Sequence, residues 1–306
     1  MFHLIFRPSL ARLIEISIAG ALACSCAAGG AGGSGAAGGA GGDGGSGAAG
    51  PTTTGAGGEG GFGGFPDGGS GGGVELPAEV FGHSDTTLYK LNPDTKSVGI
   101  IGQFQGCATE VVDIALDAES NFFATTYDGL YRVNKLTAEC TLVAEGDYPN
   151  SLSFVPAGTL DPTQEALVGF VDDQYVRINV NTGAISNIGS PWDNGFKSSG
   201  DVVSVKNGPT YLTIKDFVAS DMICADCLVE INPATGAIVE EFGDIGYAKV
   251  FGTAFWAGSI YGFTNDGALF EITLNNGNVN TTLIEESMSL KFWGAGSTTS
   301  APPVPQ

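Results

Sequence analysis

The chain has 306 residues with 33 acidic and 12 basic side chains, giving a formal net charge of −21. A field this negative repels nucleic acids and anionic membrane surfaces, which excludes direct binding to either. The charge favours solubility in an extracellular setting, or attraction of Ca²⁺ or a cationic partner. Glycine accounts for 49 residues, 25 of them between positions 27 and 73, so a sizeable core must come from the later part of the chain.

Residues 1–23 have the features of a signal peptide. Arg7 and Arg12 form a positive segment, and residues 13–23 form an apolar run that is too short to span a bilayer. Glu15 is an unusual residue within that run. The segment predicts export of the protein.

The sequence Ala-Leu-Ala-Cys at residues 21–24 resembles a bacterial lipobox, in which small residues precede a cysteine that becomes lipid-modified. It departs from the family pattern at Ala21, where leucine is preferred, and it also fits ordinary cleavage after Ala-x-Ala. The resemblance implies lipidation of Cys24 and a place in the outer membrane or at the cell surface. Simple cleavage would instead give a periplasmic or secreted protein, so the membrane contact expected is through the lipid anchor alone.

Residues 24–73 consist almost entirely of Gly, Ala, Ser and Thr. They carry too few apolar side chains to offset the entropy lost on ordering, so we predict a disordered tether. As a random coil, roughly 50 residues have an end-to-end distance of about 40 Å. The foldable domain is predicted over residues 74–299, with a disordered tail at 300–306. After position 74 the chain has 29 acidic and 10 basic residues, which leaves a net charge of −19.

Internal repetition is the strongest signal in the domain. Five segments place apolar residues first and fourth and a charged residue third, and these segments are 88–92, 130–134, 175–179, 228–232 and 269–273. Each is followed by a polar turn and a second apolar strand, as in a β-hairpin. Their starts are 42, 45, 53 and 41 residues apart. Four short strands with turns need about that length, so each unit predicts one propeller blade.

The repeat resembles the generic repeats of bacterial exported propellers, in which an apolar-aromatic strand precedes Asn-Pro-x-Thr-Gly. That resemblance covers nearly the whole domain and implies an architecture rather than an activity. Four complete units are predicted, with inner strands at 111–116, 152–155, 202–205 and 252–256. Three strands remain at the start of the domain and one, 290–294, at its end. We therefore predict an all-β, monomeric, five-bladed propeller of four-stranded blades. A fifth blade closed from both termini removes exposed sheet edges, and the alternative is a six-bladed or irregular propeller.

The six cysteines fall into three pairs. Cys24 and Cys26 lie at the processing site. Cys224 and Cys227 lie in an insertion of about ten residues, where an exported all-β chain favours a structural disulfide over a redox pair. Zinc lacks ligands, since His3 and His83 are the only histidines.

Cys107 and Cys140 form the third pair. The strand layout places them at opposite ends of a blade, and a bridge needs Cα atoms within about 7 Å. Their pairing is therefore left open by the sequence.

The candidate ligand-binding residues are Asp113, Asp201 and Lys291, which the layout places in inner strands facing the channel. Ser153 and Thr253 occupy inner strands of the other blades. Two carboxylates could join a Ca²⁺ site with backbone carbonyls and water. Alternatively, they accept hydrogen bonds from the backbone N–H groups of neighbouring blades.

Catalytic signals are weak. His83 is the only histidine in the domain, no Gly-x-Ser-x-Gly sequence is present, and the three tryptophans do not recur at the blade period. We therefore expect a non-catalytic binding module for an unknown protein or small molecule, with no cofactor apart from the Ca²⁺ alternative. The competing hypothesis is a hydrolase or lyase that uses acidic channel residues, with or without Ca²⁺. Convergence of several charged side chains beside an open pocket would favour the enzyme.

Overall fold

The computed structural model describes residues 78–171, 173–190, 196–216 and 225–305. Within these ranges the chain forms five antiparallel sheets of four strands each, which confirms the predicted all-β, five-bladed propeller. None of the described segments forms a helix that is long and apolar enough to cross a membrane. The predicted signal peptide, Cys24 and the tether lie outside the described residues.

The strands follow the predicted blade order. Blade 1 contains β1 (Val80–His83), β2 (Thr87–Asn92), β3 (Ser97–Gln103) and β20 (Gly294–Ser297); blade 2 contains β4 (Val111–Leu116), β5 (Phe122–Thr126), β6 (Gly129–Val133) and β7 (Cys140–Glu145). Blade 3 contains β8 (Leu152–Val155), β9 (Ala166–Val171), β10 (Gln174–Ile178) and β11 (Ile185–Gly189); blade 4 contains β12 (Phe196–Ser204), β13 (Thr210–Asp216), β14 (Cys227–Ile231) and β15 (Ile238–Asp244). Blade 5 contains β16 (Val250–Trp256), β17 (Ser259–Thr264), β18 (Ala268–Asn275) and β19 (Asn278–Glu286).

The inner strands β20, β4, β8, β12 and β16 contact one another in turn around a central axis. The core is divided into five apolar clusters, and each cluster is made by two adjacent blades. A single four-stranded sheet with one apolar face cannot bury that face alone, so every blade depends on its neighbours. Closure of the ring is therefore a condition for the stability of each blade.

The repeated asparagine has a structural role in the outer hairpin of four blades. The Asn232 side-chain Oδ1 accepts the backbone N–H of Ala234 at 2.9 Å, and Asn92, Asn134 and Asn179 accept equivalent bonds. The hairpin then needs a residue with positive φ, supplied by Gly183 and Gly236 in blades 3 and 4. These two requirements of the turn explain the Asn-x-x-Thr-Gly pattern in the sequence.

Blade 1 is closed from both ends of the domain. β20 pairs antiparallel with β1, from Val80 opposite Ser297 to His83 opposite Gly294. The predicted closure is confirmed, but the closing strand lies at 294–297 instead of 290–294. The apolar residues before it serve the core between blades 1 and 5, where Phe292 is fully buried. Lys291 consequently precedes the strand with an exposed side chain, and its predicted place in an inner strand is wrong.

The chain beyond residue 299, expected to be a disordered tail, packs against the propeller as far as Pro302. We call residues 298–302 the C-terminal strap. It crosses the axis where the inner strands end and hydrogen-bonds to all five blades, with partners Glu79, Ala118, Glu165, Lys206 and Ala257. Thr298 and Thr299 are buried, so the strap closes this end of the axis.

A disulfide joins Cys107 and Cys140, with Cα atoms 5.2 Å apart. The layout that placed these cysteines at opposite ends of a blade is wrong. Strands rotate by about 20–25° from one to the next, so the outer strand is turned by roughly 60–75° from the inner one. This twist brings the start of β7 beside the segment leaving blade 1, where Gln105 pairs in parallel with Glu139.

Cys227 is also disulfide-bonded. Cys224, its predicted partner, lies outside the described residues. A bridge between these two cysteines therefore remains a prediction.

The axis tolerates no side chain at Gly294. A Cβ there would lie 2.4 Å from both Asp113 Oδ1 and His83 Nε2. We expect Gly294→Ala to lower the free energy of unfolding by at least about 2 kcal/mol, because neither buried polar group can move away without losing its contacts. Chemical denaturation measures the change.

Gly99 provides the matched control. It lies in the outer strand β3, where the nearest atom to an added Cβ is the Lys90 carbonyl oxygen at 3.9 Å. Gly99→Ala should change the stability by less than about 1 kcal/mol. Equal stability of the two variants would contradict the close packing proposed for the axis.

Candidate functional site

Two carboxyl groups meet at the centre of the propeller. Asp113 of β4 and Asp201 of β12 are both fully buried, and their carboxyl groups are close enough to affect each other's pKa. We call them the axial acid pair. Because blades 2 and 4 are not neighbours, this interaction crosses the axis.

Each carboxyl of the axial acid pair also accepts backbone N–H groups. Asp113 Oδ1 accepts Ile114 N at 2.8 Å and Oδ2 accepts Leu152 N at 2.6 Å. Asp201 accepts Val202 N at 2.7 Å and Thr253 N at 2.9 Å. The pair thus binds the backbone of four inner strands, β4, β8, β12 and β16. This is the hydrogen-bonding alternative that the sequence left open beside a Ca²⁺ site.

Burial disfavours the charged form of both carboxyl groups in the axial acid pair. Burial raises the pKa of both Asp113 and Asp201 well above the usual range, and repulsion between the two carboxylates raises that of Asp113 further. Both effects favour the protonated acid over two carboxylates. The role of the axial acid pair that the geometry shows is to accept backbone N–H groups of the inner strands.

His83 completes the buried polar centre. Its Nδ1 donates to the Ser84 carbonyl at 2.8 Å, and its Nε2 lies 3.9 Å from Asp113 Oδ1. Burial lowers the pKa of His83 to about 4, so the ring is neutral at neutral pH. No group of three or more His, Cys, Asp or Glu side chains in the described part of the chain is arranged to hold a metal ion.

A cavity of ≈ 420 Å³ opens at the end of the axis where the inner strands begin. We call it the axial pocket, and it lies one residue above the axial acid pair along β4 and β12. Trp293 of blade 1, Val112 of blade 2, Asn150 of blade 3, Gly200 of blade 4 and Phe251 of blade 5 all line it. The axial pocket is therefore built by the complete ring.

β-Bulges position three parts of the pocket wall. The pairing register shifts between Val111 and Asp113, between Ser198 and Val202, and between Val250 and Gly252. Bulges re-aim side chains and bend the strand. The extra residues in the bulges include Val112, Ser199 and Phe251, all of which line the axial pocket.

The pocket lining is aromatic and polar. Tyr127, Phe251 and Trp293 are the aromatic members, and Asn150, Asn265, Ser198 and Ser199 provide uncharged hydrogen-bonding groups. Lys215 is the one charged residue among the described lining residues. It lies near the Asp226 carboxylate, whose pKa it helps to lower against the raising effect of burial.

The sequence-predicted candidates lie at or near this site but do not line it. Asp113 and Asp201 form the layer beneath the pocket, and Lys291 is outside its lining. The Ser153 hydroxyl donates to the Phe154 carbonyl at 3.2 Å, and Thr253 is buried. Sequence reasoning missed the aromatic and amide residues because they lie next to the ends of strands or within a bulge, where the repeat pattern does not extend.

No protein-family model matches the chain, and no curated protein matches it. Similar solved structures include a chain of a nidogen/laminin complex, with 11% identity, a TM-score of 0.46, and coverage of 72% of this chain and 98% of that chain. A protein of unknown function from Bacteroides caccae has 13% identity, a TM-score of 0.42 and coverage of 72% and 98%. A chain of a mitotic checkpoint complex has 12% identity, a TM-score of 0.39 and coverage of 70% and 79%. These similarities concern the fold alone.

The axial acid pair should make stability depend on pH. The folded pair binds more protons than the unfolded chain between the ordinary Asp value of 3.8 and its own raised pKa. The contribution of the axial acid pair to the free energy of unfolding is therefore fully present below pH 3.8 and is lost as the pH rises through the raised pKa. Relative to an Asp113→Asn, Asp201→Asn double variant, the wild type should lose up to about 1.4 kcal/mol per pH unit for each proton released.

Denaturation of both proteins from about pH 4 to about pH 8 measures this difference. The double variant should be less stable at low pH, because each new amide places an N–H group against a backbone N–H at a cost of about 1–3 kcal/mol. Glu145→Gln, at an exposed position in β7, is the control. A constant difference between wild type and double variant across the range would contradict the raised pKa of the pair.

Proposed function

We propose that the protein is a non-catalytic binding module that takes a small ligand into the axial pocket. The observation that carries the proposal is the separation of pocket and carboxylates. The pocket is lined by all five blades and, among the described residues, by no carboxylate. Pockets of about 300–1,000 Å³ with apolar walls and a few polar groups are typical of small-molecule sites.

The competing hydrolase hypothesis needs a carboxyl group that can reach substrate. Both oxygens of Asp113 and of Asp201 accept backbone N–H groups, and both side chains are fully buried. His83 is likewise fully buried. A carboxyl that left these contacts to act on substrate would leave backbone N–H groups of the inner strands unsatisfied, which costs about 1–3 kcal/mol each.

A tryptophan at Asn150 should block the pocket. Asn150 is exposed, precedes β8 and lines the pocket mouth, so Asn150→Trp fills the space without disturbing the core. Ligand-observed NMR can test neutral saccharides, nucleosides, amino acids, organic acids and amines against the wild type. We expect binding of at least one class, with loss of at least about tenfold in affinity in Asn150→Trp.

Gln164→Trp is the matched control. Gln164 is an exposed amide of the same blade, in the loop between β8 and β9 at the strap end. This variant should retain binding. Absence of any compound whose binding depends on residue 150 would contradict a ligand site in the axial pocket.

We also propose that the propeller is exported and tethered through a lipid on Cys24. The support is the basic and apolar segment with Ala21, Ala23 and Cys24, followed by the glycine-rich stretch. A spacer of this composition suits a domain that must reach ligands away from a membrane.

Cys24→Ser should move the protein from the membrane fraction to the soluble fraction, because the modified thiol would be absent. Cys26→Ser is the control and should leave partitioning unchanged. Fractionation of expressing cells, with mass measurement of the mature N-terminus, gives the result. Identical membrane partitioning of Cys24→Ser and the wild type would count against the lipid anchor.

A further inference from the structure

The chemistry of the axial pocket specifies the class of ligand, and this inference rests on the function proposed above. The amide of Asn265 donates to the Phe292 carbonyl at 3.4 Å, which orients it at the start of the turn between β17 and β18. Ser198 Oγ lies 2.5 Å from Ser151 Oγ. Amides and hydroxyls both donate and accept hydrogen bonds without carrying charge, so the pocket matches a ligand with many neutral hydroxyl groups.

The aromatic residues of the pocket come from three blades. Trp293 and Phe251 are half-buried, and Tyr127 is 58% exposed at the mouth. Aromatic rings have a negative face, which attracts C–H groups that carry partial positive charge. The C–H face of a sugar ring has this character, while its hydroxyls point outward toward hydrogen-bonding partners. A pocket with aromatic walls and uncharged amides therefore suits both parts of such a ring.

Charge argues against the other ligand classes. A cation would need carboxylates, and none of the described lining residues supplies one. An anion would have only Lys215, near the Asp226 carboxylate, within a domain of net charge −19. A wholly apolar ligand would leave amide and hydroxyl groups without partners, at a cost for each.

We propose that the axial pocket binds a neutral saccharide, a mono- or disaccharide or the end of a longer glycan. Trp293 and Phe251 contact the ring faces, and Asn150, Asn265 and Ser198 bind the hydroxyls. Lys215 adds a donor for a ring or hydroxyl oxygen. The open mouth at Tyr127 leaves room for a second sugar.

The test measures binding of methyl glycosides of glucose, galactose, mannose and N-acetylglucosamine, with maltose and lactose, by ligand-observed NMR and calorimetry. Glucuronate, glucosamine and adenosine serve as charged and flat comparators of similar size. We expect at least one neutral saccharide to bind more tightly than all three comparators. Trp293→Ala should weaken its binding roughly tenfold or more, and Trp293→Phe should keep most of it.

Asn150→Trp and Gln164→Trp test the same binding at exposed positions, should Trp293→Ala not fold. Saccharide binding that is lost in Asn150→Trp and kept in Gln164→Trp supports the inference. Pocket-dependent binding restricted to glucuronate, glucosamine, adenosine or another compound that is not a neutral saccharide would overturn the inference but leave the binding function standing. Saccharide binding unaffected by both Trp293→Ala and Asn150→Trp would overturn it too. Absence of pocket-dependent binding of every class would contradict the proposed function itself.

Discussion

The axial acid pair is the interaction on which the ring depends. Five inner strands converge so closely that Gly294 and Gly252 have no room for a Cβ, which at Gly252 would lie 2.6 Å from Ala295 N. Backbone N–H groups that face such an axis need acceptors, since an unsatisfied buried group costs about 1–3 kcal/mol. Asp113 and Asp201 accept N–H groups from blades 2, 3, 4 and 5. Burial raises the pKa of both carboxyl groups, which disfavours two uncompensated charges at the centre of the ring.

The β-bulges that precede Asp113 and Asp201 also shape the axial pocket. Asp113 and Asp201 each follow a bulge and bond the N–H of the next residue. The bulge turns the preceding residues toward the open end, which places Val112 and Ser199 in the wall of the axial pocket. A change at either carboxyl would therefore alter the pocket although neither carboxyl lines it. The shape of the axial pocket and the stability of the ring therefore both depend on the geometry of β4 and β12.

Much of the fold was predictable because the repeat carries local chemistry. An apolar strand followed by a polar turn recurs in every blade, and the spacing of these segments predicted five blades. The three strands left at the start of the domain and the one left at its end predicted the closure. The closing strand was predicted four residues too early because the apolar residues before Gly294 resemble a strand more than Gly-Ala-Gly-Ser does. Crowding at the axis favours glycine in the true strand, and this crowding exists only in the assembled ring. The Cys107–Cys140 bridge was hidden for a related reason, since blade twist is a property of the sheet. The pocket was hidden because bulges leave no mark on the apolar alternation.

The start of β1 and the axial pocket lie at different ends of the axis. Glu79 directly precedes β1, and its N–H donates to Thr298 Oγ1 at 3.1 Å, so β1 begins at the strap end of the axis. Although burial favours the neutral acid, hydrogen bonds from Lys135, Lys90 and Ser120 lower the pKa of Glu79 to about 2. The entry point is therefore held to blades 1 and 2 by charge at neutral pH. The axial pocket opens at the other end of the inner strands. Glu79 and the axial pocket therefore lie at opposite ends of the propeller axis.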